Sequence, residues 1–276
     1  MMLAKLKRFF KNGNQFDSRK EIDMKIAIIG TGISGLTAAY LLNKEHDITI
    51  FEKNDYIGGH THTHKINMNS KEYVVDSGFI CYNENTYPNF IKLLKILRVE
   101  SQKTAMGFSV KSLNQNLEYA GNSINSLFSQ RKNIFNLSFL IMIKDILLFN
   151  KRSKKDLQTI SSDQKLGEYL SENNYSKLFI DNYIIPMGAA IWSTKAINML
   201  EMPALFFIRF FDNHGLLQIK DRPNWFVIKG GSKKYVKKMI HGFEDKIKLS
   251  SCISKIRRVG GKIEIIFDGN EQNIQT

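Results

Sequence analysis

The chain has 276 residues, enough for one large domain or two smaller ones, and 43% of them are hydrophobic, an ordinary share for a folded globular protein. Lys and Arg number 40 against 26 Asp and Glu, a net charge of +14, yet the basic residues are scattered and form no nucleic-acid motif with interleaved aromatics. Two cysteines, Cys81 and Cys252, stand far apart without metal-ligand spacing, which argues against a disulfide framework and for a reducing, cytoplasmic setting.

Residues 1–23 carry basic and a few apolar side chains but no long apolar core, so they are not a secretory signal. They read as an N-terminal extension, a weak membrane-surface helix, or sequence upstream of a natural start at Met24. Ile26–Ile29 is then a short apolar run without alternation, the mark of a strand buried on both faces in a parallel sheet. Three glycines follow, Gly30, Gly32 and Gly35, in the order Gly-x-Gly-x-x-Gly. The first permits a sharp turn, the second lets a pyrophosphate approach the backbone, and the third packs a helix close to the strand. The helix is predicted from Ile33 and Ser34 to Asn43, with its N-terminal N–H groups facing the phosphates. A second apolar run, "DITIFE", ends in Glu52 and is followed by Lys53. An acid at this spacing suits hydrogen bonds from a ribose diol. Strand, glycine loop, helix, strand and terminal acid together predict a dinucleotide site.

Gly58 and Gly59 form a second glycine pair, followed by His60, Thr61, His62 and His64. The alternating histidines would share one face of an extended segment, which leaves a zinc site open beside cofactor contact and plain exposure. "MNSK" predicts a turn between two strands, and Asp76-Ser77-Gly78 closes the region. "YPNFIKLLKILRV" and "EMPALFFIRFF" are predicted helices, and "AMGFSVKS" and "LEYAG" a strand pair. Ile134–Phe149 is the most apolar segment; it is too short to span a bilayer and Lys144-Asp145 interrupts it. It reads as a buried helix, the wall of an apolar tunnel, or a face resting on lipid. After Trp225, "GGSKKYVKKMIHGF" predicts a glycine turn and helix, and the remainder reads as strands around a Gly260-Gly261 turn.

Glu52 followed by Gly58-Gly59 resembles the FAD fingerprint of the flavin amine oxidase and phytoene desaturase superfamily, although His60 stands where that family has Arg. "PMGAAIWST", "RFFDNHGLL" and "RPNWFVIKGGSKKYV" sharpen the resemblance to bacterial NAD/FAD-binding proteins related to flavin amine oxidases. The resemblance implies an α/β fold: a Rossmann-like FAD/NAD(P)-binding domain of the glutathione-reductase type with an inserted, mostly helical α+β substrate domain. The expected boundaries are 1–23 for the extension, 24–80 and 225–276 for the FAD domain, and 81–224 for the substrate domain. It implies FAD bound by Gly30, Gly32, Ile33, Ser34, Gly35, Glu52, Lys53, Gly58, Gly59, His60, Thr61, Asp76 and Gly78, with no metal. The expected activity is hydride transfer from an apolar, lipid-like small molecule to flavin. The alternative is a non-catalytic FAD-binding fragment or subunit. A late Gly-Asp segment of the family has no counterpart before Thr276, so the resemblance implies a C-terminally truncated member: either the gene is truncated or split, or a second chain completes it. No nucleic-acid partner is expected, and the basic balance suits peripheral contact with a membrane. His214 and Trp192 are candidates for the substrate side, each also readable as structural, and Cys81 reads as a small core residue.

Overall fold

Strands β1 (Lys25–Ile29) and β2 (Asp47–Phe51) run parallel in register, Lys25 beside Asp47 and Ile29 beside Phe51, with helix α1 (Ile33–Leu42) between them. This is the predicted strand–helix–strand unit. The computed structural model describes residues 24–218, 223–268 and, as backbone, 270–275; the extension at 1–23 lies outside the described residues. Leu36, Ala39, Leu41 and Leu42 of α1 are buried, and Ala39 and Leu42 pack with Ile28, Ile48 and Ile50 of the two strands.

Hairpin β3 (Thr63–Met68) and β4 (Lys71–Asp76) follows, antiparallel and joined at Asn69-Ser70. Both turn residues have positive φ, 51° and 58°, as a two-residue hairpin turn matched to strand twist requires. The chain continues through β5 (Tyr82–Asn83), α2 (Pro88–Ile96) and β6 (Ser101–Thr104). Pro88 begins α2 where its missing N–H costs nothing.

Two compact units emerge, one holding the described residues up to Thr104 and from Phe226 onward, the other Ala105–Trp225. The first crossing therefore falls after Thr104, not after residue 80 as the sequence suggested. The reason is packing: Leu93, Leu94 and Leu97 join Leu36 and the later residues Tyr235, Val236 and Met239 in one buried cluster. The segment 81–104 thus belongs with the glycine loop.

The second unit begins with the predicted strand pair, β7 (Ser109–Ser112) and β8 (Leu117–Ala120), then α3 (Ile124–Leu127), α4 (Leu137–Asp156), α5 (Leu166–Glu172), α6 (Lys177–Phe179), a π-helical turn (Ile180–Ile184), α7 (Ile185–Trp192) and α8 (Ala204–Asn213). Buried Phe139, Met142 and Phe149 from α4 meet Phe207, Ile208 and Phe211 from α8 in its core. The widened turn has a cause in sequence. Pro186 has no N–H, so it cannot supply the i+4 bond to the Asn182 carbonyl. Tyr119 supplies a donor instead: its OH reaches Asn182 O at 2.7 Å, and burial, with a lesser contribution from Tyr183, pushes the phenol's pKa up.

The chain returns through β9 (Trp225–Ile228), which lies between β5 and β6, and α9 (Lys233–Ile240). β10 (Ile247–Lys248) pairs parallel with β2, giving the order β1-β2-β10. β1 is therefore an edge strand among the described residues, and its Ile29 is 51% exposed, unlike the doubly covered strand its sequence predicted. β11 (Ile253–Val259), β12 (Lys262–Phe267) and β13 (Asn270–Gln275) form an antiparallel meander, and Gly260 and Gly261 turn at positive φ as predicted.

Replacing Tyr119 by Phe removes the donor and leaves the Asn182 carbonyl buried. The expected destabilisation is about 1–3 kcal/mol. Urea denaturation of the variant checks this; an unshifted midpoint would mean the carbonyl has another donor.

Candidate functional site

The structure requires glycine at two positions of the first loop and leaves open space at the third. Gly30 turns the chain at φ +88°, and its N–H donates to Phe51 O at 2.7 Å. Gly32 caps α1 without a side-chain hydrogen bond, and a Cβ built on it would meet nothing within 4 Å. The N–H groups of Ile33, Ser34 and Gly35 are first-turn donors without i−4 helical partners, and no acidic residue stands among them. A Cβ on Gly35 would lie 2.0 Å from Gly30 O, so this glycine lets the helix close onto the loop.

The second glycine turn packs directly on the first. Gly59 sits at φ +59°, and a Cβ there would lie 3.0 Å from Gly32 Cα. Together the turns line a groove of about 620 Å³. Gly30, Gly32, Ile33, Ser34, Gly35, Gly58, Gly59, His60 and Thr61 all line it, with Phe79, Tyr87 and Phe90 as its aromatic wall. Thr61 Oγ1 shares a short hydrogen bond with the buried Tyr235 OH from α9. An electroneutral, donor-rich loop facing aromatic rings suits a ligand with an anionic middle and a flat ring.

Glu52, Lys53, Asp76 and Gly78 do not line this groove. Glu52 is 4% exposed. Its Oε2 accepts from Thr31 N at 2.7 Å and Thr31 Oγ1 at 2.5 Å, and its Oε1 accepts from Asn54 N at 3.0 Å. Thr31 Oγ1 in turn accepts from Gly58 N at 3.1 Å. Burial alone pushes the Glu52 carboxyl's pKa up, but the Thr31 hydroxyl, the two N–H donors and the Lys53 charge outweigh it and hold the pKa below its ordinary value near 4.5. The carboxylate thus fixes both glycine turns. Lys53 itself is exposed. Asp76 acts in a similar way, accepting from Ser232 N and Oγ at 3.0 Å and from Thr63 Oγ1, and so anchors the turn before α9. Gly78 is required because a Cβ would lie 2.0 Å from His60 O.

Thr31, Ser232 and Tyr235 build the site although nothing in the sequence analysis singled them out. Thr31 carried a signal, a hydroxyl between two loop glycines beside a terminal acid. Tyr235 carried none, since its partner lies 174 positions away. His62 stacks on Tyr56 and His64 lies tilted against His62, the centroids 4.2 Å apart in each pair, and His64 Nε2 bonds Ser77 Oγ at 2.8 Å. Among the described residues no group of three His, Cys, Asp or Glu is placed to hold a metal ion. Trp192 packs among Phe206, Phe207 and Phe210. His214 lines a cavity in the second unit, its ring stacked on Phe210 and its Nδ1 2.9 Å from Phe210 O. Burial pushes the Cys81 thiol up, so it is no ready nucleophile.

Residues 28–97 match the family model of the NAD(P)-binding Rossmann-like domain. The fold is that of the amine oxidases. Cyclohexylamine oxidase from Brevibacterium oxydans superposes with a TM-score of 0.66 at 18% identity, covering 93% of this chain and 56% of that one. Wild-type putrescine oxidase bound to putrescine gives 0.55 at 17% identity, with 90% and 55% covered. Tryptophan 2-monooxygenase of Allorhizobium ampelinum is 55% identical over 42 residues, 14% of this chain and 6% of that protein. The diapophytoene desaturase of Staphylococcus aureus strain Newman is 54% identical over 37 residues, 13% of this chain and 7% of its own. The family model and the curated relatives match only the glycine-loop region, and what the chain shares with the solved amine oxidases over its length is the fold. The chain spans about half the length of the solved structures it matches.

Thr31→Val removes the hydroxyl that Glu52 and Gly58 share. Losing a hydrogen bond to a charged group costs about 1.5–3 kcal/mol, and the fold should weaken by about that amount at neutral pH. The Glu52 contribution is fully present above its ordinary pKa near 4.5 and is lost as pH falls through the lower folded value. Denaturation measured from pH 7 down to the acid limb should therefore show a smaller acid-induced loss in Thr31→Val than in the wild type. Equal acid slopes would remove the hydroxyl from this account.

Proposed function

We propose that the groove between the two glycine turns holds FAD and that the protein serves an FAD-dependent oxidoreductase reaction on a small apolar substrate. The observation that carries this reading is the contact of Gly59 with Gly32. A single glycine loop suits several dinucleotides; a second glycine turn seated on it, beside an aromatic wall, suits the larger flavin dinucleotide. The pyrophosphate is assigned to the N–H groups of Ile33, Ser34 and Gly35, and His60, which lines the same groove, is assigned as a further donor. Oε1 of Glu52 has one protein donor and keeps a lone pair for a ribose hydroxyl. FAD, when bound, supplies the ring that takes up hydride from a substrate C–H. The chain's own contribution is position: Glu52 and Thr31 hold the loop, Asp76 holds Ser232, and Thr61 with Tyr235 fixes the groove floor.

The open edge of β1 and its half-exposed Ile29 favour completion of the sheet by further polypeptide. We assign the enclosure of the flavin ring to that polypeptide, on a partner chain.

Peripheral membrane contact is assigned to the turn that opens α4. Phe135 is 90% and Leu137 71% exposed, beside exposed Arg131 and Lys132. Among the described residues no helix is long and apolar enough to cross a membrane.

Two measurements test these readings. Heat-released ligand from the purified protein should be FAD, and Gly32→Val should weaken its retention roughly tenfold or more while far-ultraviolet dichroism is kept, because a side chain would fill the open space at Gly32. Recovery of NAD(P) alone, or unchanged flavin in a folded Gly32→Val protein, would refute the assignment. For the membrane, Phe135→Asp should reduce cosedimentation with phosphatidylserine-containing vesicles about tenfold, the scale of burying one aromatic side chain. Equal sedimentation of variant and wild type would dismiss the contact.

A further inference from the structure

Two short segments of the first unit, residues 92–103 and 229–238, hold nine Lys or Arg and one acid, Glu100. They carry a net +8 of the chain's +14. The fold brings the two segments together. Leu93, Leu94 and Leu97, in α2 and the turn after it, pack in one cluster with Tyr235, Val236 and Met239 of α9. Lys238 Nζ donates to Arg98 O at 2.5 Å, and Lys229 Nζ lies 3.2 Å from Glu100 Oε2. With its apolar side turned in, α9 turns Lys233, Lys234, Lys237 and Lys238 out; all four are exposed, as are Arg98 and Lys229.

Local stability does not account for this cluster. Lys237 and Lys238 suit the end of the helix, but Lys233 and Lys234 stand in its first turn, where the helix dipole disfavours a cation. Lys233 with Lys237 and Lys234 with Lys238 are like charges at i, i+4, which repel across one turn. Arg98 sits at φ +51°, a helix-ending position that glycine or asparagine takes at lower cost. An anionic surface outside the protein offsets the repulsion among the lysines. The one aromatic residue of each helix, Phe90 and Tyr235, turns inward, and the two rings meet 5.3 Å apart. The two helices thus present charge without rings on which bases could stack, which favours a bilayer over a nucleic acid.

We propose that the outer face of α9, with Arg98 and Lys229 beside it, docks on the anionic surface of a phospholipid bilayer. Long lysine stems let the ammonium groups reach a plane of headgroups, and the attraction grows with each charge. The inference does not rest on the contact assigned to the turn that opens α4. That contact is apolar and lies in the second unit; this one is electrostatic and lies in the first.

The test uses the full chain and phosphatidylcholine vesicles, with and without phosphatidylserine. Cosedimentation should need phosphatidylserine and fall steeply between about 0.1 M and about 0.5 M salt. The combined variant Lys233→Gln, Lys234→Gln, Lys237→Gln should bind on the order of a hundredfold more weakly. A control that removes the same charge from exposed positions elsewhere, Lys151→Gln, Lys195→Gln, Lys255→Gln, should stay within about threefold of the wild type. Without vesicles, the melting temperature of the α9 variant should be unchanged or higher, because like-charge pairs are relieved. Equal losses in the two variants, equal binding to vesicles lacking phosphatidylserine, or a lowered melting temperature would overturn the proposal. So would tighter binding to a single-stranded oligonucleotide than to vesicles at equal accessible phosphate, lost in the same variant, which would give the face to nucleic acid. The gap between the two variants should persist in a Phe135→Asp background, so failure of the apolar contact is told apart from failure of this one.

Discussion

Both oxygens of the buried Glu52 carboxylate are engaged by backbone N–H groups or by the Thr31 hydroxyl, and that hydroxyl continues the chain of bonds to Gly58. A charge without solvent needs its donors in place, and this one finds them only when both glycine turns have adopted a single arrangement. The groove's shape follows from that requirement. Neither turn has side chains with which to hold itself; each is shaped by absence of Cβ atoms, which gives room but no adhesion. Asp76 repeats the device at the other end, binding Ser232 and Thr63 so that Tyr235 stands beside Thr61. Two carboxylates thus position a surface built mostly of backbone.

The local elements were legible in the sequence because each was governed by a short-range rule. The apolar run before Gly30 made β1, Asn69-Ser70 made a hairpin turn, Pro88 started a helix, and Phe207, Ile208 and Phe211 marked a helical face. Groove residues from Gly30 to Gly35 and from Gly58 to Thr61 were legible for the same reason: glycine at fixed spacing reports backbone geometry directly. What stayed hidden depended on partners far along the chain. The sequence put Glu52, Asp76 and Gly78 at the cofactor. In the structure Thr31, Ser232 and His60 are their near neighbours, and Glu52, Asp76 and Gly78 do not line the groove. The exposed edge of β1 was equally invisible, since apolar character predicts a covered strand but cannot say which neighbour covers it. The border at Thr104 was missed because α2 buries its leucines against α9, more than a hundred residues later.

Helix α4 shows how one stretch of sequence can satisfy several readings at once. Its apolar residues were compatible with core, tunnel wall or lipid-facing surface. In the structure Phe139 and Met142 are core, Ile143 and Ile146 line a cavity, and Leu137 faces outward. A helix has room for three such stripes because its side chains spread around the axis every 3.6 residues.

The interruption of the first unit by Ala105–Trp225 has a consequence for how the protein comes into being. The second unit is one continuous stretch, with helices and a hairpin whose partners are near in sequence, and contacts of that kind form quickly. The first unit is not. Its floor is closed by Tyr235 on Thr61, its cluster by Met239 and Val236 on Leu36, and its sheet by β10 on β2. On the ribosome, where domains fold as their residues emerge, the amino-terminal strands must wait through the synthesis of the whole second unit before these closing pieces appear. Ile28, Leu36, Ile48 and Ile50 spend that interval without their final cover, which makes the nascent first unit a natural client for chaperones.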